Sequence, residues 1–438
     1  MTATSTAPAT VRQRHAGKPT VDELLAAAVG AVPGGMDRPG QRTMATAVAE
    51  AAATGEHLLV QAGTGTGKSL AYLVPALLVE GPVVVSTATL ALQSQLVDHD
   101  LPRLVDAVEP LLRKRPTFAV LKGRHHYLCL AKLDGGVEDE PQDALFDGDG
   151  QRPTTWLGEA GRLGKQIQRL RDWAMETETG DRDELDPGVD EVAWRQASMP
   201  ARECVGVARC GYGAECFAEA SRARAREADI VITNHSLLAV DMLASRHILP
   251  EHRLLIIDEA HELADRVSSA SQAELTPELI GKAARRARPV VGPDRAGALT
   301  DAGDLLNLGL AEVSPGRLTD GLPTTLGEAL TLIDAAARSA FEAVGEVKSD
   351  DRDAITKQQA RTILEDVSSV AQRLLAQVNQ DVAWTERDDR GRRAVVVAPL
   401  SVAGTLGAHL YADRTVVATS ATLTLGGRFD TIAASLGL

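Results

Sequence analysis

A glycine-rich segment carries residues of the types that bind a nucleoside triphosphate. The segment AGTGTGKS, at positions 62–69, follows the strand-like HLLVQ and precedes the apolar, helix-like LAYLVPALL. In such a loop the glycines allow backbone N–H groups to surround the phosphates, and the N-terminus of the next helix adds partial positive charge. Lys68 is placed to reach the β- and γ-phosphates, and Ser69 to bind Mg²⁺. The loop predicts ATP or GTP binding by Gly63, Thr64, Gly65, Thr66, Gly67, Lys68 and Ser69.

A second segment, LLIIDEAH at positions 254–261, supplies the carboxylates that such a loop needs. Its four aliphatic residues predict a buried strand with Asp258 at its end. Asp258 is expected to hold Mg²⁺ through water, and Glu259 to polarise the water that attacks the γ-phosphate. His261 is expected to couple the nucleotide to the rest of the protein. The predicted catalytic residues are therefore Lys68, Asp258, Glu259 and His261.

The four cysteines of the chain form a candidate metal site. Cys129 stands alone, and Cys204, Cys210 and Cys216 follow with the spacing C-x5-C-x5-C. Four thiolates suit either a 4Fe-4S cluster or zinc. Structural zinc usually binds cysteine pairs separated by two to four residues, and the wider spacing here favours the cluster. Buried free or disulfide-linked cysteines are the remaining alternative.

Basic and aromatic residues surround these cysteines in sequence. The basic residues could contact the phosphates of a nucleic acid, and they are Lys122, Arg124 and His126. The aromatic residues could stack on the bases of a single strand or pack in a core, and they are Tyr127, Tyr212 and Phe217. The segment is thus a candidate for gripping or separating strands.

The elements around these motifs alternate between strand-like and helix-like character. HLLVQ, PVVVSTAT, ADIVITN and RLLIIDEAH are strand-like, and RAVVVAPLS and RTVVATSAT add two more near the C-terminus. This alternation predicts an α/β fold with a doubly wound parallel sheet. Two insertions interrupt the predicted sheet. Residues 121–217 hold all the cysteines, and residues 265–394 are rich in Leu and Ala with helical spacing.

The composition is that of an ordinary globular protein of 438 residues, 44% hydrophobic and 24% charged. The longest apolar stretch, Leu70–Ser86, is interrupted by proline, glycine and glutamate, so we expect no membrane span. The N-terminal MTATSTAPAT lacks the apolar core of a secretory signal, which indicates a disordered tail and a cytoplasmic location. A net charge of −14 argues against a generally basic nucleic-acid-binding protein, although it leaves the sign of a local groove open.

Several motifs together resemble the superfamily 2 helicases, and in particular the iron-sulfur branch of DinG-type and XPD-like DNA helicases. Besides AGTGTGKS and DEAH, RPGQ resembles the adenine-reading segment of the family, with Gln41 as the base contact. STATLALQSQL resembles its first DNA-contacting motif, in which Thr87 and Gln93 face the strand backbone. ITNHSLL precedes DEAH as in the family, and VVATSATL resembles the motif that couples hydrolysis to DNA binding.

The resemblance implies a RecA-like P-loop NTPase sheet interrupted by an iron-sulfur cluster domain and by a helical, arch-like insertion. The implied cofactors are ATP, Mg²⁺ and a 4Fe-4S cluster. The predicted divisions are a tail with a lead helix (1–35), the first motor part (36–120), the cluster domain (121–217), the second motor part (218–264), the arch-like insertion (265–394) and the last motor part (395–438).

The activity that the resemblance implies is ATP hydrolysis coupled to 5′–3′ movement on single-stranded DNA, with opening of duplexes at junctions, usually in DNA repair. In the family a second RecA-like half donates arginines to the γ-phosphate, typically from a QxxGRxxR-like segment. The sequence up to Leu438 contains no such segment. We therefore expect the chain alone to bind nucleotide weakly and to unwind little DNA without a second RecA-like domain in trans. The main alternative is a non-enzymatic nucleotide- or DNA-binding fragment, or half of a split helicase. A nuclease-coupled translocase and a redox sensor are weaker alternatives.

Overall fold

The computed structural model describes residues 19–63, 65–135, 155–244, 248–347 and 353–438. The strands are β1 (Leu58–Gln61), β2 (Val83–Thr87), β3 (Phe118–Val120), β4 (Ile230–Asn234), β5 (Leu254–Asp258), β6 (Ala273–Leu275), β7 (Gly316–Arg317), β8 (Asp381–Arg387), β9 (Arg393–Pro399) and β10 (Thr415–Ser420).

The helices are α1 (Val21–Gly30), α2 (Pro39–Thr54), α3 (Lys68–Ala76), α4 (Leu90–Gln95), α5 (Leu101–Val108), α6 (Leu130–Gly135), α7 (Thr155–Ala174), α8 (Glu191–Ala197), α9 (Phe217–Glu227), α10 (His235–Leu243), α11 (Leu263–Ser271), α12 (Pro277–Val291), α13 (Pro293–Glu312), α14 (Thr324–Val344), α15 (Ala354–Ala376), α16 (Ala403–Leu410) and α17 (Asp430–Ser435). Short 3₁₀ turns lie at Glu109–Leu111, Arg124–His126, Arg182–Glu184, Ala201–Glu203, Val207–Arg209, Gly213–Glu215 and Ala260–Glu262, and a π-helical turn lies at Leu96–Asp100.

The central sheet has six strands in the order β1-β10-β5-β2-β4-β3, and all neighbours are parallel. Its inner strands are continuous Val, Ile and Leu runs because helices cover both faces. The predicted α/β fold with a parallel sheet is confirmed. Since parallel strands end at one edge, the glycine loop after β1 and the DEAH residues after β5 lie at the same edge.

One strand prediction was wrong. The run RAVVVAPLS was expected to join the parallel sheet, but its residues 393–399 form β9 of a separate antiparallel sheet with the order β6-β9-β8-β7. The reason is a local hairpin, because the Asp388 side chain accepts hydrogen bonds from the backbone of Arg390 and Arg392 in the turn between β8 and β9. Val395 and Val397 then pack against the helices of the second insertion instead of the motor core.

The second insertion is helical, as predicted, through α11 to α15. Leucine and alanine side chains of α12, α13, α14 and α15 form one apolar core with β6 and β9. Strands β6, β7 and β8 also belong to this segment. No helix of the described ranges is long and apolar enough to cross a membrane. The exact divisions of the chain proposed above stay predictions.

In the described residues of the first insertion, 121–135 and 155–217, regular structure is limited to α6, α7, α8 and short 3₁₀ turns, and α9 begins at Phe217. Two isolated bridges, Tyr127 to Asp181 and Leu128 to Ser198, connect its parts. A small core surrounds Trp194, whose indole N–H donates to the carbonyl of His125 at 2.8 Å. Short 3₁₀ turns come immediately before three of the cysteines. The cysteines are therefore positioned by turns and a few contacts, not by strands.

Candidate functional site

The glycine loop leads from β1 into α3, which begins at Lys68. Gly65 and Gly67 have φ values of +76° and +81°, a conformation that favours glycine. The side-chain amide of Gln41 donates to the carbonyl of Gly67 at 3.0 Å, and Arg38 donates to the carbonyl of Gly65. A Cβ at Gly67 would collide with the Gln41 amide. The RPGQ segment is thus packed directly on the loop.

The remaining loop residues show a tight turn. The Thr66 hydroxyl donates to the carbonyl of Gly63 at 2.8 Å. Thr64, also predicted to contact nucleotide, lies outside the described residues. Ser69 follows Lys68 in the first turn of α3, where the helix N-terminus faces the loop.

Lys68 meets both acidic residues of DEAH. Its Nζ lies 2.5 Å from Glu259 Oε1 and 3.8 Å from Asp258 Oδ1. The three side chains are largely buried, with exposed fractions of 13%, 21% and 8% for Lys68, Glu259 and Asp258. Glu259 adopts a φ of +56°, which is uncommon outside glycine and recurs at functional sites. This backbone turns the Glu259 side chain from the end of β5 towards the loop.

The two carboxylates differ in their electrostatics. Burial raises the pKa of Asp258, and Lys68 offsets part of that effect. Burial also acts to raise the pKa of Glu259, but the hydrogen bonds from Lys68 and Ser420 outweigh it and hold the pKa below its ordinary value. Glu259 is therefore held as the charged carboxylate that a general base requires.

The VVATSATL segment reaches the same point through β10, which lies beside β5. Ser420 Oγ donates to Glu259 Oε2 at 2.6 Å, and His261 Nδ1 lies 2.8 Å from the same hydroxyl. The structure thus brings Glu259, His261 and Ser420 into one hydrogen-bonded group. Ser420 was missed as an individual residue, although its motif was identified.

Two further buried residues at this edge were not predicted. The Tyr72 hydroxyl donates to Asp258 Oδ2 at 3.1 Å. His235 Nδ1 lies 2.7 Å from Ser86 Oγ, and burial lowers the pKa of His235 to about 4. The only sequence signal for Tyr72 was its position one helical turn after Ser69. The only sequence signal for His235 was its position in the ITNHSLL segment.

All four cysteines line one cavity. Backbone contacts hold its wall, for example from the Cys129 N–H to the Ala197 carbonyl at 2.8 Å. Burial raises the pKa of the Cys129 thiol, and the neighbouring cysteines raise it further. Within the described ranges no three His, Cys, Asp or Glu side chains are grouped closely enough to hold a single metal ion.

The residues expected to contact DNA mostly have internal partners. Lys122 Nζ bonds Asp181 at 2.6 Å and Asp183 at 2.7 Å, and Arg124 pairs with Glu219. Burial is the main cause that lowers the pKa of His126 to about 4. Lys122 and Arg124 are thus paired with acidic residues, and a role of these three residues as phosphate contacts stays a prediction.

The side chains expected to face a DNA backbone are also enclosed. Thr87 is fully buried, and its hydroxyl lies 3.4 Å from the Thr233 carbonyl; Gln93 is 2% exposed. Tyr127 is buried with its hydroxyl 2.7 Å from Ser221 Oγ, which favours the core interpretation for this aromatic residue.

Comparison with known proteins agrees with this geometry. Residues 39–105 match the DEAD/DEAH box helicase family. A solved XPD helicase structure covers 92% of this chain and 61% of its own with a TM-score of 0.51 and 13% identity, a likeness that shows the fold alone. The glycine loop, the DEAH strand and the family match define a DEAD/DEAH box helicase domain.

Relatives with higher sequence identity indicate which helicases within this class the chain resembles. The chain is 48% identical over 96% of its length to ATP-dependent helicase DinG of Mycobacterium tuberculosis, and 37% identical over 54% to ATP-dependent DNA helicase YoaA of Escherichia coli. It covers 64% and 35% of these two proteins. The chain is therefore similar to the DinG-type helicases, and its residues 39–105 match the DEAD/DEAH box helicase family. It spans about two thirds of the length of the mycobacterial relatives.

Proposed function

We propose that this chain provides the nucleotide-hydrolysing machinery of an ATP-dependent DNA helicase. The observation that carries the proposal is the convergence of Lys68 with Asp258 and Glu259, at 3.8 and 2.5 Å, beside a glycine loop at the carboxyl edge of a parallel sheet. Two relatives named ATP-dependent helicases support it.

The residues divide the chemistry among them. Gln41 reads the base, and the backbone of the loop with Lys68 binds the phosphates. Ser69 and Asp258 hold Mg²⁺; a hydroxyl and a carboxylate are the hard oxygen donors that this ion prefers. Glu259 orients and deprotonates the attacking water, and its lowered pKa keeps it charged at neutral pH. His261 and Ser420 transmit the state of Glu259 to β10.

The proposal extends to the substrate. Hydrolysis drives 5′–3′ movement on single-stranded DNA and opening of DNA junctions, as in the family that the motifs resemble. A second RecA-like domain, present in cis or supplied in trans, completes the site with cationic residues that stabilise charge on the γ-phosphate.

Nucleotide binding is the first test, since it requires fewer parts than unwinding. A fluorescent ATP analogue with Mg²⁺ should bind the chain, and Lys68→Ala should weaken binding roughly tenfold or more, as expected for loss of a charged contact. Lys114→Ala is a matched control because Lys114 is a surface residue paired with Asp229. Absence of Mg²⁺-dependent binding to the unmodified chain would overturn the proposal. Binding without any hydrolysis, even with DNA and a second RecA-like domain, would favour a non-enzymatic binding module.

We further propose that Cys129, Cys204, Cys210 and Cys216 hold a 4Fe-4S cluster. The lining of one shared cavity by all four cysteines supports this assignment. When bound, the cluster supplies a rigid four-point attachment for the surrounding turns. Anaerobic purification with iron and sulfide analysis should give about four irons per chain, the content of such a cluster. Zinc in place of iron would contradict this assignment.

A further inference from the structure

One buried phenol contacts the carboxylate assigned to magnesium, and no motif gives it a role. Tyr72 is fully buried in α3, three residues after Ser69. Its hydroxyl donates to Oδ2 of Asp258 at 3.1 Å, while Lys68 Nζ lies 3.8 Å from Oδ1. The two oxygens of Asp258 therefore have different partners. The phenol fixes which oxygen faces the phosphate side of the site.

The same phenol is connected through Ser69 to a second carboxylate, which is half-buried. The Ser69 hydroxyl lies beside both the Tyr72 phenol and the side chain of Asp100. Asp100 ends the π-helical turn Leu96–Asp100, which continues directly from α4 and packs against α3. Such turns are rare and are often found at functional sites. Asp258, Tyr72, Ser69 and Asp100 form a contact series, here named the Tyr72 link.

The position of the Tyr72 link distinguishes it from an ordinary buried hydrogen bond. One end is the residue assigned to bind magnesium through water, and the centre is the hydroxyl assigned to bind the ion directly. The other end, Asp100, lies in the π-helical turn that follows α4, the helix of the STATLALQSQL segment, which resembles a DNA-contacting motif. Groups that hydrogen-bond metal ligands orient them, and their loss typically weakens metal affinity by a factor of ten or more.

We propose that Tyr72 is a positioning residue for the magnesium of the nucleotide site, and that Asp100 ties this position to the segment that follows α4. The inference rests on the proposed function, in which Ser69 and Asp258 bind Mg²⁺. The phenol holds Asp258 in one rotamer, and Asp100 holds the Ser69 hydroxyl in register with it.

Tyr72→Phe tests the inference because it removes one hydroxyl and retains the buried ring. Binding of a fluorescent ATP analogue to the full chain is measured over a series of Mg²⁺ concentrations, and again in EDTA. The Mg²⁺ concentration for half-maximal binding should rise roughly tenfold, whereas binding in EDTA should be unchanged. Tyr411→Phe is the matched control, since its hydroxyl donates to the Leu436 carbonyl at 2.9 Å in the same domain. It should leave the Mg²⁺ requirement unaltered.

A purely structural role for Tyr72 would lower the melting temperature without moving the Mg²⁺ requirement, and that result overturns the inference. Asp100→Asn decides the matter should Tyr72→Phe fold poorly, because the amide keeps the shape of the side chain. It should raise the Mg²⁺ requirement by a smaller factor, and an unchanged requirement counts against the inference. If nucleotide binding by the unmodified chain does not depend on Mg²⁺, the proposed function itself fails. If binding does depend on Mg²⁺ and both variants have the same Mg²⁺ requirement as the unmodified chain, only the role of the Tyr72 link is wrong.

Discussion

The nucleotide site and the cysteine cavity are built by different means. The nucleotide site lies at the ends of β1, β5 and β10, so the register of a parallel sheet places Lys68, Glu259 and Ser420 within hydrogen-bonding distance. The cysteine cavity is enclosed by 3₁₀ turns, two isolated bridges and one small core. The first site is preorganised by the fold, whereas we expect the second to depend on the cluster proposed for its thiolates.

The largest expected effect sharpens the first half of this comparison. Glu259→Gln should reduce ATP hydrolysis by about 10²–10⁴-fold, because it removes the general base while the sheet keeps every other group in place. Affinity for the nucleotide and the melting temperature should change little. Single-turnover kinetics with DNA and a second RecA-like domain measure the rate of ATP hydrolysis, and calorimetry measures the melting temperature. Glu262→Gln, one helical turn away and paired with Arg266, is the control. A large loss of folding stability in Glu259→Gln would show that the site is not preorganised as described.

The second prediction addresses the cysteine cavity. Cys204→Ser should abolish the cluster and increase amide hydrogen exchange in residues 121–135 and 155–217 by roughly tenfold or more, since metal binding there is also folding free energy. Exchange in β2, β4 and β5 should stay slow, and nucleotide affinity should be retained. Equal protection in the variant and the unmodified protein would break the comparison, because the cavity would then be held by the fold alone.

The small core beside the cavity provides a test that needs no metal. Trp194 is 1% exposed, so Trp194→Ala should destabilise the first insertion by about 3–5 kcal/mol. Trp173 only borders this core, and Trp173→Ala should cost clearly less. Local unfolding free energies from hydrogen exchange measure both. Similar costs for the two variants would contradict the assignment of Trp194 as the centre of the core.

Features of this protein that depend on local motifs could be predicted from the sequence, whereas features that depend on long-range packing could not. The glycine loop, DEAH and the strand runs could be found because each depends on adjacent residues. The ion pairs of Lys122 could not be predicted because its partners, Asp181 and Asp183, lie 59 and 61 positions away. Tyr72 was overlooked for the same reason, since Asp258 is 186 positions distant. Neutralisation of a charge by a remote partner leaves no pattern in one sequence.

The RAVVVAP strand shows a different limit. A short apolar run predicts burial in a sheet, but it does not specify which sheet. The choice depended on the turn at 388–392, in which Gly391 has a φ of +82° and Asp388 caps the hairpin. The DDRGRR letters between two strand-like runs were a turn signal that could have assigned β9 to a hairpin.

The smallest expected effect is the pH dependence of the nucleotide site. The folded-state pKa of Glu259 lies below its ordinary value of 4.5, so between the two values the folded protein binds fewer protons than the unfolded chain. The stabilisation of the folded state by charged Glu259 is therefore complete above pH 4.5, and it is lost as the pH falls through the folded-state pKa of Glu259. The difference in melting temperature between Glu259→Gln and the unmodified protein should shrink over that acidic range. Ser420→Ala, which removes one of the bonds that lower this pKa, should shift the transition to higher pH. A difference that grows on acidification would mean that Lys68 and Ser420 do not stabilise the charged form of Glu259, and the preorganised site would lose its main electrostatic support.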